Sequence, residues 1–357
     1  MGRGDAAAGD GGLMDILALP RLVWEFVVYL FAVMPDLLPI ILSLATPLAL
    51  GALCGVLGER SGVVNIGIEG IMLMAAFFGY LTGFALHEPL GTGAALALGI
   101  VVAVATGALL GLLHAWLTVT VRADQIIAGT MMNIAAFGVT GYLNRLIITP
   151  SGRGGAGVIP PFHLPDQLAT LPFLGPILAM FLDQGPIAMS VILLVLISQF
   201  ALFRTRWGLR TRAVGEHPKA ADTVGIDVFR QRYLNVIVGC GIAGLAGAYL
   251  TLESTGSFQN GMTNGRGFIA LAAVIFGRWT PLGSLLGALL FGTATAFGII
   301  VNVRPAEGDL GTLMKTIPTF WYAALPYLIT VVILAGVVGR STPPAADGIP
   351  YAKEGKG

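Results

Sequence analysis

Charge is what this sequence has least of. Asp, Glu, Lys and Arg make up 11% of its 357 residues, where a soluble domain carries about 25%. That scarcity, with 55% hydrophobic residues and a mean hydropathy of +0.83, excludes a water-soluble globule and implies a polytopic membrane protein. A formal net charge of +1 gives no basis for a nucleic-acid partner. Cysteine is scarce as well: Cys54 and Cys240 both fall inside apolar runs, so no disulfide framework is implied. His87, His114, His163 and His217 are scattered without metal-ligand spacing. No Walker A loop, HExxH, CxxC or GxSxG occurs. No catalytic residue, metal or cofactor is therefore expected, and any work must be powered from elsewhere.

What the sequence does have is apolar segments. A span takes about 20 such residues. Candidates run over Leu22–Met34, Leu37–Leu57, Ile68–Leu86, Ala94–Leu117, Gln125–Ile148, Pro186–Phe203, Leu234–Leu252, Phe268–Gly277, Leu282–Val303 and Phe320–Val338. An all-α transmembrane bundle of about ten spans is expected, with some helices broken or re-entrant. Glu25 interrupts the first span, and the eighth is short. With both termini inside, fifteen of the 20 Lys and Arg fall on the cytoplasmic side, as the positive-inside bias requires. Residues 1–20 then form a disordered cytoplasmic tail, 21–339 the transmembrane domain, and 340–357 a second cytoplasmic tail. Within these tails Met1–Gly11 and Ala346–Gly357 are polar and glycine-rich and are expected to be dispensable. The long external connection Thr149–Gly185 contains Gly152-x-Gly154-x-x-Gly157, a formal dinucleotide fingerprint. No strand precedes it and Pro160-Pro161 follows, so it reads as a loop.

The charge that is present is concentrated. Arg204 to Arg232 (RTRWGLRTRAVGEHPKAADTVGIDVFRQR) holds seven basic residues against Glu216, Asp222 and Asp227. Inside this loop, 204–232, Pro218 suits a first helical position and Gly225 a left-handed terminus. A helix of two turns is too short to stand alone. Ala220 and Val224, one turn apart, give it a small apolar face for docking.

Polar groups within apolar runs mark the second informative stretch, GERSGVVNIGIEG, Gly58 to Gly70. Its glycines favour irregular backbone, tolerated in a membrane only when buried in protein or lining a cavity. Asn65 and Glu69 are four apart and share a face if that part is helical. Glu69 either caps the helix that follows it or lines a pathway. Asn133 either faces the pathway or holds two helices together. Gln259, Asn260, Asn264 and Arg266, in the loop SFQNGMTNGRG, would lie at an external mouth or be solvated there. The pairs Gly51/Gly55, Gly107/Gly111 and Gly283/Gly287 predict close helix approach, or hinges.

Lys219-Ala220-Ala221, followed by Gly225, is similar to the EAA–x3–G loop through which ABC importer permeases dock on their ATPase, with Lys219 standing where that loop has Glu and Glu216 one turn earlier. GERSGVVNIGIEGIMLMAAFFGY and GRGFIALAAVIFGRWTPLGSLLGALLFG closely resemble the permeases of the ribose, branched-chain amino-acid and nucleoside importers, nearest the bacterial nucleoside branch. The likeness covers roughly Pro39 to Gly339. It implies a permease subunit that forms the pathway with a second, related permease. A cytoplasmic ABC ATPase and an external substrate-binding lipoprotein would complete the importer, in the bacterial inner membrane. It implies two pseudo-symmetric halves, ATPase coupling through Gly215, Glu216, Lys219, Ala220, Ala221 and Gly225, and a pathway past Asn65, Glu69 and Asn133. Other outcomes are a permease for ribose-like sugars or branched-chain amino acids, or an ion-coupled carrier. The last needs a titratable relay, for which only Glu69 stands out.

Overall fold

The computed structural model describes residues 18–151, 155, 157–163, 165, 168, 171, 174–332 and 341–353, and every described element is helical. Helix α1 spans Ala18–Glu59, α2 Ile68–Leu90, α3 Thr92–Ala115 and α4 Gln125–Leu143; α3 and α4 each run on into a π-turn. Then come α5 (Leu174–Leu182), α6 (Pro186–Arg204), α7 (Arg206–Glu216), α8 (Pro218–Thr223) and α9 (Val228–Ala248, continued by a π-turn to Thr255). The last four are α10 (Arg266–Phe276), α11 (Pro281–Val303), α12 (Gly308–Thr316) and α13 (Thr319–Val332). Seven of these segments are long and apolar enough to cross a membrane.

Ten spans were expected, and α1 departs most from that division. The first two expected spans are one helix of 42 residues with Pro35, Pro39 and Pro47 inside it. At about 1.5 Å per residue it is roughly 63 Å long, twice a hydrocarbon core of about 30 Å. Its amino-terminal half is held by a cluster of its own: Tyr29, Val33, Leu37 and Ile41 pack on Ile300, Leu310, Met314 and Tyr322. Glu25, which seemed to interrupt a span, accepts a hydrogen bond from the Leu310 N–H at the start of α12 (3.0 Å). Arg21 pairs with Asp309 at 3.4 Å. The start of α1 thus lies beside the α11–α13 connection, which had been assigned to the opposite side of the membrane. The expected inside placement of the one and outside placement of the other therefore do not both hold. Of the tenth expected span, residues 333–338 lie outside the described residues, as do 1–17 of the amino-terminal tail.

The main core joins α1, α2, α3, α9 and α10, with Leu50, Leu53, Ile68, Met72, Phe77 and Leu252 fully or nearly fully buried. Small residues let the axes meet. A side chain on Gly51 would strike Ala270, and one on Gly55 would strike Val274. Gly107 lies against the backbone of Cys240 and Gly244. These pairs pack helices, as their spacing predicted. Cys54 and Cys240 are free thiols in this core. In the long connection, Gly152 and Gly154 lie outside the described residues. Leu174–Leu182 is a helix packed on α1, where only loop had been expected.

Candidate functional site

Two regions contain the residues singled out by the sequence. The first surrounds Glu69. The stretch before it is irregular, as its glycines predicted, so Asn65 and Glu69 share no helical face. Asn65 is 2% exposed, accepts from the Gly67 N–H (2.9 Å) and donates to Cys240 Sγ (3.3 Å). It fastens a turn to α9.

Glu69 does cap a helix, but not its own. Its two carboxylate oxygens accept from the backbone N–H of Gly265 (2.8 Å) and Gly267 (2.6 Å), at the start of α10. Free N–H groups and the helix dipole favour a negative charge there. The approach requires Gly267, whose added Cβ would meet the Glu69 backbone. Glu253 repeats the arrangement on α6, accepting from Ile187 (2.7 Å) and Ala188 (2.9 Å). Sequence reasoning passed over Glu253, because the helix it caps lies 65 residues away. Asn133 Oδ1 accepts from the Gly70 N–H (2.7 Å), and its Nδ2 donates to the Ile66 carbonyl (3.0 Å). It joins α4 to the start of α2, so both halves of its amide are occupied. Glu69, Asn133, Phe137, Asn264 and Phe268 nevertheless border one open cleft of about 460 Å³. Of the mouth residues, Asn260 accepts from Asn144 (3.0 Å), and Arg266 folds back onto the carbonyls of Met262 and Thr263.

The second region is the basic loop. Helix α8 runs from Pro218 to Thr223 as its residues predicted. Gly225 follows at φ +84°. Its N–H donates to Asp222, and that of Ile226 to Ala221, both at 3.0 Å; this pair of bonds is a Schellman terminus. The face expected for docking, Ala220 and Val224, is exposed. Ala221, also expected among the coupling residues, is 4% exposed and packs on Val214, Val228 and Tyr351 of its own chain. Lys219, Ala220, Thr223 and Val224 face outward, Val224 at 75% exposure. Gly215 cannot bear a side chain, because a Cβ there would run into the Arg60 carbonyl. Glu216 accepts from the Ala345 N–H (3.2 Å).

Around α8 the arginines hold carbonyls. Arg60 donates to Trp279 O (2.7 Å) and Arg278 O (3.1 Å), in a turn where both acceptor residues have positive φ. Trp279 donates its indole N–H to Glu59. Arg232 is 0% exposed; its Nε donates to Ser61 O (3.1 Å) and one terminal nitrogen to Ile349 O (3.0 Å). The basic loop expected over 204–232 thus ends inside a helix, on a buried face. A signal was present: Arg232 falls on a stripe with Val228, Gln231, Asn235 and Val236, all buried on α9, at the spacing of one helix face.

Residues 37–339 match the family described as the branched-chain amino acid transport system permease component, nearly the Pro39–Gly339 of the resemblance. The chain is 41% identical to the guanosine ABC transporter permease protein NupQ of Bacillus subtilis, over 89% of its own length and 96% of that protein's. It is 34% identical to the nucleoside ABC transporter permease protein NupC of Lactococcus lactis, covering 87% of this chain and 94% of that one. It is 35% identical to the putative glucose ABC transporter permease protein TsgC13 of Haloferax volcanii, covering 83% and 90%. No solved structure matches.

Proposed function

This chain belongs to the branched-chain amino acid transport permease family, and from that premise we infer that it is one of two permease subunits of an ATP-driven nucleoside importer in a bacterial cytoplasmic membrane. It is a transport component and not an enzyme. The likeness to the guanosine permease over nearly the whole of both chains carries the substrate reading. A sugar is the second reading, because the putative glucose permease of Haloferax volcanii is about as similar as the lactococcal nucleoside permease. An external lipoprotein delivers substrate, and a cytoplasmic ATPase drives its release.

The basic end, with α8, faces the cytoplasm, and the excess of basic residues there survives moving Arg3 and Arg21 to the other side. The seven long helices together with α10 and α13 then give nine passes. The amino terminus is outside and the carboxy terminus inside. Helix α10 is roughly 16 Å long and reaches only part of the way across. Its capped start borders the cleft at Glu69, which faces the pathway shared with the second permease.

Uptake by the reconstituted complex tests the substrate. Labelled guanosine, ribose, glucose and leucine are offered in turn, with ATP and without. ATP-dependent uptake of guanosine alone is expected. Uptake of glucose but not guanosine favours the second reading, and uptake driven by a proton gradient without ATP rejects the importer.

A further inference from the structure

We propose that the carboxy-terminal strap, Ser341–Lys353, together with Arg232, is a working part of the coupling device: it holds α8 in a fixed relation to α10. The proposal rests on α8 being the face that meets the ATPase. It contradicts the expectation that the tail is dispensable.

Helix α8 has six residues and cannot hold its own shape or direction. The strap supplies much of its seat. Tyr351 is 5% exposed and fills the cluster around Ala221, Val214 and Val228, with its ring edge-on to Phe229 at 5.6 Å. Lys353 reaches Asp222 on α8 (3.4 Å). Ala346 donates to Gly215 O (2.8 Å) and Ala345 to Glu216 (3.2 Å), both at the end of α7. Ile349 takes one of the two hydrogen bonds given by Arg232. Tail residues thus touch α7, α8 and α9 together.

At its other end the strap is tied to the second half of the chain. Ser341 donates to Ile275 O in the last turn of α10 (3.1 Å). Arg60 holds the carbonyls just beyond that helix. A load on α8 therefore meets α10 through covalent chain and hydrogen bonds, without crossing lipid. The start of α10 is the end that Glu69 caps. Arg232 closes the circuit through Ser61, in the stretch that leads to Glu69. Without the strap, Arg232 would lose the Ile349 acceptor while another of its nitrogens is already unpaired among the described residues, and a buried unmade bond is costly.

The test uses the complete transporter in proteoliposomes and reads two rates: ATP hydrolysed and substrate imported. A chain lacking residues 344–357 is compared with one lacking only 354–357. The longer deletion should lower import at least tenfold, with ATPase binding retained and the ratio of import to hydrolysis reduced. The shorter one should match wild type. If the longer deletion does not accumulate, Tyr351→Ala and Tyr351→Phe carry the test at equal membrane level. The alanine should lower the ratio several-fold and the phenylalanine should preserve it. Lys353→Glu should lower it slightly, and adding Asp222→Lys should restore it. Wild-type ratios in the longer deletion, or in Tyr351→Ala where that deletion is absent, overturn the proposal. If the wild-type complex itself shows no ATP-dependent import, the importer reading fails instead.

Discussion

Glu69 and Arg232 are both buried charges, and the protein holds them in opposite ways. Glu69 accepts at both oxygens from backbone N–H groups at one helix start; its partners belong to a single element, and each oxygen has one. Arg232 spreads its donors over carbonyls that belong to two distant segments, Ser61 and Ile349, and keeps one nitrogen unpaired among the described residues. The first arrangement fixes an element. The second joins elements, and leaves room for the joint to change. Glu253, capping the start of α6, shows that the first is a repeated structural device. The buried carboxylate is thus an anchor, whereas the arginine at the end of the basic loop is a junction.

Removing the junction should do most damage. Arg232→Met, similar in length and uncharged, should lower import at least tenfold while the ATPase still binds, as measured by pull-down beside uptake. Equal import would mean that the arginine merely fills space. Next comes the anchor. In Glu69→Gln only one amide oxygen remains to accept, so one of the N–H groups of Gly265 and Gly267 is left unpaired, at a cost of about 1–3 kcal/mol. The account expects a lower thermal midpoint and lower membrane level, with the import per assembled complex unchanged. Normal stability with altered substrate affinity would restore the pathway role. Gly225→Val should follow. Nothing lies within 4 Å of an added Cβ there, so the penalty is the left-handed backbone alone, about 1–2 kcal/mol; import should fall a few-fold, read at matched expression.

The smallest effect is one of pH. Burial pushes the Asp347 carboxyl up to about 7, against the opposing pull of the Gly348 N–H and Arg232; Glu59 is its other charged neighbour. The folded value exceeds the unfolded one. The docked strap is therefore favoured most below the unfolded value and loses that advantage as pH rises through about 7. The protection factors of amides in 344–353, which are exchange rates divided by their pH-dependent intrinsic values, should be lower at pH 8 than at pH 6, and Asp347→Asn should flatten the difference. Identical protection factors at both values would remove Asp347 from the account.

What was legible in the sequence was local. Pro218 and Gly225 specify α8 through backbone geometry that needs no distant partner. The glycine pairs announced close packing for the same reason. The partners of Glu69 and Asn133 were not legible, since one is 196 residues away and the other 63. Arg232 was counted with the basic loop because its charge outweighed its place on one helix face with Val228 and Val236. The strap was missed because its composition is that of a solvated tail, and only Tyr351 hinted at a buried seat. Helix α1 was split in two because Pro35 and Asp36 looked like a break; Arg304 pairs with Asp36, and the helix passes through.

The central claim is that α8 meets the ATPase through its outward face, with Ala221 turned into the permease. Cysteine cross-linking tests it most directly, since Cys54 and Cys240 are buried and contribute little background. Ala220→Cys and Val224→Cys, labelled with a benzophenone maleimide and irradiated in the assembled complex, should link to the ATPase in high yield, and Ala221→Cys should not. Linking at Ala221 with none at Ala220 or Val224 would contradict the account.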